Sequence, residues 1–137
     1  MAIRKFSKNP VPKAKREIQK LLHKFAVLTY GDCVLRNYPE SGRCGGVLHA
    51  EHLISRQRNI TYGDSRNIIL LCAAHHLFFK PRNGMLYWEL VRKIVGEKRW
   101  EWLKRTEADR KSYSYTLWDW QKVILQLKKE IRNLENL

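Results

Sequence analysis

Residues 47–79, VLHAEHLISRQRNITYGDSRNIILLCAAHHLFF, decide how this chain folds. Val47–Ile54 mixes apolar and polar residues as a strand does. Ser55–Arg66 is rich in turn residues and carries Arg56, Arg58 and Arg66. Asn67–Leu71 is short, β-branched and apolar, the pattern of a second strand. Helical signal resumes near Ala73 and is expected to break at Pro81, Asn83 and Gly84. The predicted order is strand, turn, strand, helix.

Cysteines and histidines sit at the joints of that order. Structural zinc takes four tetrahedral Cys/His ligands, usually as two pairs. Cys72 and His75 are separated by two residues, so a strand end and a first helical turn can present both to one ion. Cys33 and Cys44 are spaced more widely, in a loop whose Pro39, Gly42, Gly45 and Gly46 let it fold back. These four residues are expected to bind Zn2+ in a closed site that stabilises the fold. The competing reading is three small buried hydrophobes.

A second, oxygen- and nitrogen-rich site is expected beside the first. Hydrolysing a phosphodiester needs a base for water, neutralisation of the phosphate, and help for the leaving oxygen. Histidine supplies the base near neutral pH, and a divalent cation supplies the rest. His52 is the expected base, with Glu51 and His76 holding Mg2+ or Mn2+. In a helix His75 and His76 project about 100° apart, so neighbours can serve different ions. The expected division is His75 to zinc and His76 to the catalytic ion, with the reverse as the alternative. Neighbours on a regular strand face opposite ways, so Glu51 and His52 need a bulge or a twist to converge. Asn67 is expected to brace the loop by hydrogen-bonding backbone across it. His49 reads as a surface residue, and as the alternative base.

Outward from this stretch, residues 1–11 form a basic arm (Arg4, Lys5, Lys8) and 12–30 a helix. That helix carries Ile18, Leu21, Leu22, Phe25 and Leu28 at helical spacing. Its lysines form a solvated face or touch a nucleic-acid backbone. Residues 85–137 are helical, with Met85–Val95 and Glu97–Thr106 either separate or bent at Gly96. In the tail, Leu117, Trp120, Ile124, Leu127, Ile131 and Leu134 make a short heptad seam. It packs back on the domain or forms a homodimer. The whole chain is expected to be one domain.

The 137 residues carry a formal net charge of +14, which attracts polyanions. No apolar run reaches membrane-spanning length, and MAIRKFSKNP lacks the apolar core of a secretory signal. Three cysteines without an export signal point to a reducing, cytoplasmic setting. Arg56, Arg58, Arg66, Lys80 and Arg82 are the expected phosphate contacts. Tyr62 either packs or stacks on an unpaired base. No base-edge code is visible.

Glu51-His52, Asn67 and His76 resemble the signature positions of the HNH endonucleases, and the wider string LHAEHLISR…NIILLCAAHHLFFK…MLYWELVRKIVGEKRWEWL is similar to phage-borne members, including the NinG (Rap) recombination nucleases. The resemblance covers about residues 33–105. It implies an α+β fold with a zinc-braced ββα-metal core over 33–80, flanked by helices. It also implies metal-dependent cleavage of DNA, structure-selective or weakly sequence-specific, in a phage-infected or bacterial cell. His52 would be the base, Glu51 and His76 the ligands, and Asn67 the brace. Two departures stand out: Glu51 replaces the usual Asp, and the usual CxxC is stretched to Cys33…Cys44. A zinc-containing nucleic-acid-binding module with a degenerate nuclease site is the alternative, and an RNase is a third.

Overall fold

The computed structural model describes residues 10–137. Most of the expected basic arm lies outside the described residues, and its last two positions, Pro10 and Val11, already belong to helix α1 (Pro10–Tyr30). Pro10 suits a first helical position because no intrahelical N–H is needed there.

A two-stranded antiparallel sheet sits between helices. Strand β1 (Leu48–His52) pairs with β2 (Ile68–Cys72) in the register Leu48↔Cys72 to His52↔Ile68. Both strands are displaced from expectation. The first is shorter than Val47–Ile54. The second starts one residue late because Asn67 closes a 3-10 turn, Ser65–Asn67, and its side chain goes to the loop. Between the strands lies a short helix, α2 (Asn59–Tyr62).

All five residues of β2 are buried, which is why its sequence reads as an unbroken apolar run. Ile68 and Leu70 face Ile18, Leu22 and Ala26 of α1, together with Trp120, Ile124 and Leu127 of the terminal helix. Ile69 and Leu71 face Tyr87, Leu90, Val91 and Leu103. The free edge of β2 is covered from two sides. Val34 N–H donates to Leu70 O (2.9 Å). The Arg99 guanidinium donates to the carbonyls of Arg66 and Ile68 (2.6 and 2.7 Å) and to the Tyr30 hydroxyl (2.7 Å). Satisfying these edge groups leaves the β1 edge without a further strand among the described residues.

After β2 the chain turns into a helix whose middle is a π-helical turn, His75–Phe79, closed by Lys80 N–H on His75 O. It runs into α3 (Lys80–Arg82). Pro81 therefore sits inside helical structure rather than ending it. The break falls at Asn83 (φ −130°, ψ 49°). Helices α4 (Gly84–Val95) and α5 (Glu97–Ala108) are separate. Gly96 joins them at φ 82°, a left-handed value that a side chain would strain.

Helix α6 (Leu117–Glu135) opens with a Thr116/Asp119 capping box. Its Trp120, Ile124, Leu127 and Ile131 are buried in the chain's own core, with Trp120, Ile124 and Leu127 against α1. The heptad seam thus packs back on the domain. Among the described residues no helix is long and apolar enough to cross a membrane.

Candidate metal centres

Cys33, Cys44, Cys72 and His75 form a group that could hold a metal ion such as zinc. The Cys33–Cys44 loop folds back through a 3-10 turn, Pro39–Ser41, and is tied to the motif by Ala73 N–H on Val47 O (2.8 Å) and Ala74 N–H on Gly45 O (2.9 Å). Gly46 is needed at that seam. Its φ is 80°, and a Cβ there would lie 2.7 Å from Ala73 Cβ.

The three sulfurs lie 3.0 Å (Cys72), 3.4 Å (Cys33) and 3.6 Å (Cys44) from His75 Nδ1. Tetrahedral zinc, with bonds of about 2.3 Å to sulfur and 2.0–2.1 Å to nitrogen, places such atoms about 3.5 Å apart. The donor set fits. His75 is fully buried, and its Nε2 lies 2.9 Å from Ser41 Oγ, which leaves Nδ1 for an ion. Ser41 Oγ itself donates to Tyr38 O at 2.6 Å. No sequence signal marked Ser41; its role depends on the loop's return.

Thiol ionisation follows the same geometry. Burial opposes it at Cys72, but hydrogen bonds from the backbone of Gly45 and His75 and from the His75 ring outweigh burial and bring that thiol to about 7. Burial, aided by the neighbouring thiols, pushes Cys44 up to about 12. Burial also pushes Cys33 up. One thiolate forms readily and the crowded others resist, so a cation at the centre would stabilise all three.

On the same π turn, His76 points the other way. Its Nε2 lies 2.5 Å from Glu51 Oε2, and its Nδ1 lies 2.9 Å from His49 Nδ1. Glu51 is buried, and its Oε1 accepts from Lys80 Nζ at 2.7 Å. Burial, reinforced by His49, Lys80 and Arg56 against the pull of Glu51, holds His76 below the usual histidine range.

His52 borders the same region. Its Nε2 lies 2.8 Å from Tyr62 O. A carbonyl only accepts, so Nε2 carries the proton and Nδ1 keeps its lone pair. Burial lowers the His52 pKa more than the Tyr62 carbonyl and Glu51 raise it. The ring stacks on Tyr62 (5.4 Å between centroids), so Tyr62 is a packing residue, itself buried.

The β1–β2 ladder is continuous, so no bulge brings Glu51 and His52 together. Both nevertheless border one hollow. That hollow, about 400 Å³, is lined by Glu51, His52, Arg56, His76 and Lys80. A second, about 360 Å³, shares His52, Arg56 and His76 and adds His49, Gln19 and His23.

Asn67, fully buried, staples the connection. Its Oδ1 accepts from Ile54 N–H (2.6 Å), and its Nδ2 donates to the carbonyls of Ile54 (3.0 Å) and Thr61 (3.2 Å). Its own carbonyl accepts from Leu53 N–H at 2.8 Å.

The expected phosphate contacts divide. Arg56 is exposed on both hollows. Lys80 is paired with Glu51. Arg82 is exposed, its guanidinium 5.5 Å from the Phe78 ring. Arg58 instead donates to the carbonyls of Thr106, Glu107 and Asp109 (3.3, 2.7 and 3.2 Å). Arg66 pairs with Asp64 (2.7 Å) and lies 3.9 Å over Trp102. Both hold the chain's own loops, because surface arginines beside unfilled carbonyls, carboxylates and ring faces satisfy those first. Compared with family models, curated proteins and solved structures, the chain finds no match.

Proposed function

We propose that this protein is a metal-dependent DNA endonuclease of the HNH (ββα-metal) class, hydrolysing phosphodiester bonds with His52 as general base. The observation that carries this reading is the His52–Tyr62 carbonyl contact at 2.8 Å. It fixes the Nε2–H tautomer, so that the ring, which burial keeps neutral, carries its lone pair on Nδ1, and His52 borders a hollow shared with His76 and Arg56.

His52 Nδ1 would take the proton of a water poised against phosphorus. The new P–O bond forms as the P–O bond opposite it breaks. Arg56 would hold a flanking phosphate through its planar fork, and the Asn67 staple keeps the His52-bearing segment in place. Mg2+ or Mn2+ at the open site built on His76 and Glu51 would supply charge for the phosphate and the leaving oxygen. The net charge of +14 suits a polyanionic substrate. The sequence shows no base-edge code, so selectivity for DNA structure, or weak sequence preference, fits a phage or recombination setting.

One observation favours a second reading. Lys80 already neutralises Glu51, as it would in a zinc-containing nucleic-acid-binding module whose nuclease site has decayed. Plasmid nicking with Mn2+ or EDTA, by wild type and His52→Ala, tests the two. The nuclease cuts only with metal and His52, whereas the binding module binds DNA and never cuts. Preference for RNA over DNA would mark an RNase.

A further inference from the structure

Resting on that reading, we propose that the ion of the open site is ligated by two imidazoles, His49 and His76, each through Nδ1. Glu51 then acts from the far side of His76 as its orienting carboxylate rather than as a ligand. Two distances distinguish a ligand pair from a supporting contact. Two ligands at right angles around an ion, each about 2.1 Å from it, lie about 3.0 Å apart. The His49 Nδ1–His76 Nδ1 separation is 2.9 Å, so that pair can take an ion with no rearrangement. The Glu51 Oε2–His76 Nε2 separation is 2.5 Å. That is shorter than even a charge-assisted N–H···O bond of about 2.7–2.9 Å, a direct contact too short for two ligands of one ion.

The rest of Glu51 agrees. Oε2 meets His76 and Oε1 meets Lys80, so both oxygens of this buried carboxylate are engaged within the chain. A carboxylate accepting the Nε2 proton of His76 fixes the ring's tautomer and turns the Nδ1 lone pair outward, the usual support of a metal-binding histidine. His49 stands two residues before Glu51 on β1, half-buried, with its ring edge-on to that of His76 at 83°. Both Nδ1-bearing rings border the hollow that also holds His52, so ion and base face one space, while Glu51 borders the other hollow.

The donor set predicts metal choice. A pair of imidazole nitrogens suits Mn2+, Co2+ and Ni2+ better than Mg2+, with affinity rising in that order.

The test is Mn2+ binding followed by electron paramagnetic resonance on the full zinc-loaded chain. Wild type, His49→Ala, His49→Gln and Glu51→Gln are compared, with zinc content and nicking measured in parallel. The expected result is one Mn2+ per wild-type chain beyond zinc. Glu51→Gln should weaken it by about 10–100-fold, as loss of an orienting partner does, and both His49 variants should weaken it more. His49→Gln keeps side-chain bulk, so weakening in that variant is not a packing effect. A His49 variant that binds Mn2+ like wild type, or a larger loss in Glu51→Gln, overturns the assignment. If Mn2+ binds through His49 but wild type never nicks DNA, the assignment stands and the nuclease reading falls. If wild type nicks and the His49 variants bind Mn2+ unchanged, the reverse holds. No Mn2+ bound by wild type overturns the assignment outright.

Discussion

His75 and His76 are neighbours on one π-helical turn, yet they lie in opposite kinds of surroundings. His75 is fully buried among three sulfurs, its second nitrogen taken by Ser41. His76 is half-buried at an open edge, touching Glu51 and His49, with His52 across the same hollows. The sulfur site is buried except at Cys44, and a four-donor set of that kind suits a stabilising ion. The open site leaves room for water and a phosphate. A π turn, common at functional sites, divides the two roles between adjacent residues.

Cys72→Ser should break the pair completely. Losing a structural metal costs more than about 4 kcal/mol, so zinc content, unfolding midpoint and nicking should all fall. Normal zinc by mass spectrometry in that variant would refute the ligand set. His52→Ala should separate the sites instead. Nicking should drop by about 10²–10⁴-fold, with zinc content and DNA affinity near wild type.

Asn67→Ala probes the staple between them. Leaving buried backbone groups of Ile54 and Thr61 unpaired costs about 1–3 kcal/mol each, measurable by urea unfolding. Nicking should fall in step, since the staple holds the segment after His52.

The pH profile sharpens the contrast further. The working form of His52 is neutral, and burial lowers its pKa. Nicking should therefore be flat at neutral pH and fall on acidification, about tenfold per pH unit once below that pKa. The bend should lie below the ordinary histidine value of about 6.5; a bend above it would mean that another group is the base. The smallest effect belongs to Arg66→Ala. An exposed pair with Asp64 is worth about 0–1 kcal/mol, and the salt dependence of DNA binding should not change. A flatter salt slope would return Arg66 to the phosphates.

How much was legible in the sequence follows from what each residue depends on. Cys72 and His75 are fixed to one another by local geometry, so their spacing was readable before any fold. The hairpin was readable too, because β2 is buried on both faces and needs an unbroken apolar run. His49 was not, since its meaning lies in a 2.9 Å approach to a residue 27 positions away. Ser41 and Arg99 escaped for the same reason: each satisfies a distant polar group that only the folded chain brings near. The intrachain partners of Arg58 and Arg66 were not legible either, because composition shows that a cation is present, not which oxygen it meets. The convergence of Glu51 and His52 was expected to need a bulge or a local twist; the ladder has no bulge, and both residues border one hollow.

The most direct test of two sites on one turn compares His75→Ala with His76→Ala. Zinc content, thermal midpoint and Mn2+-dependent nicking are measured on the same samples. The account predicts that His75→Ala loses all three, while His76→Ala keeps its zinc and midpoint and loses only nicking. Zinc lost from His76→Ala, or wild-type nicking by it, would contradict the account.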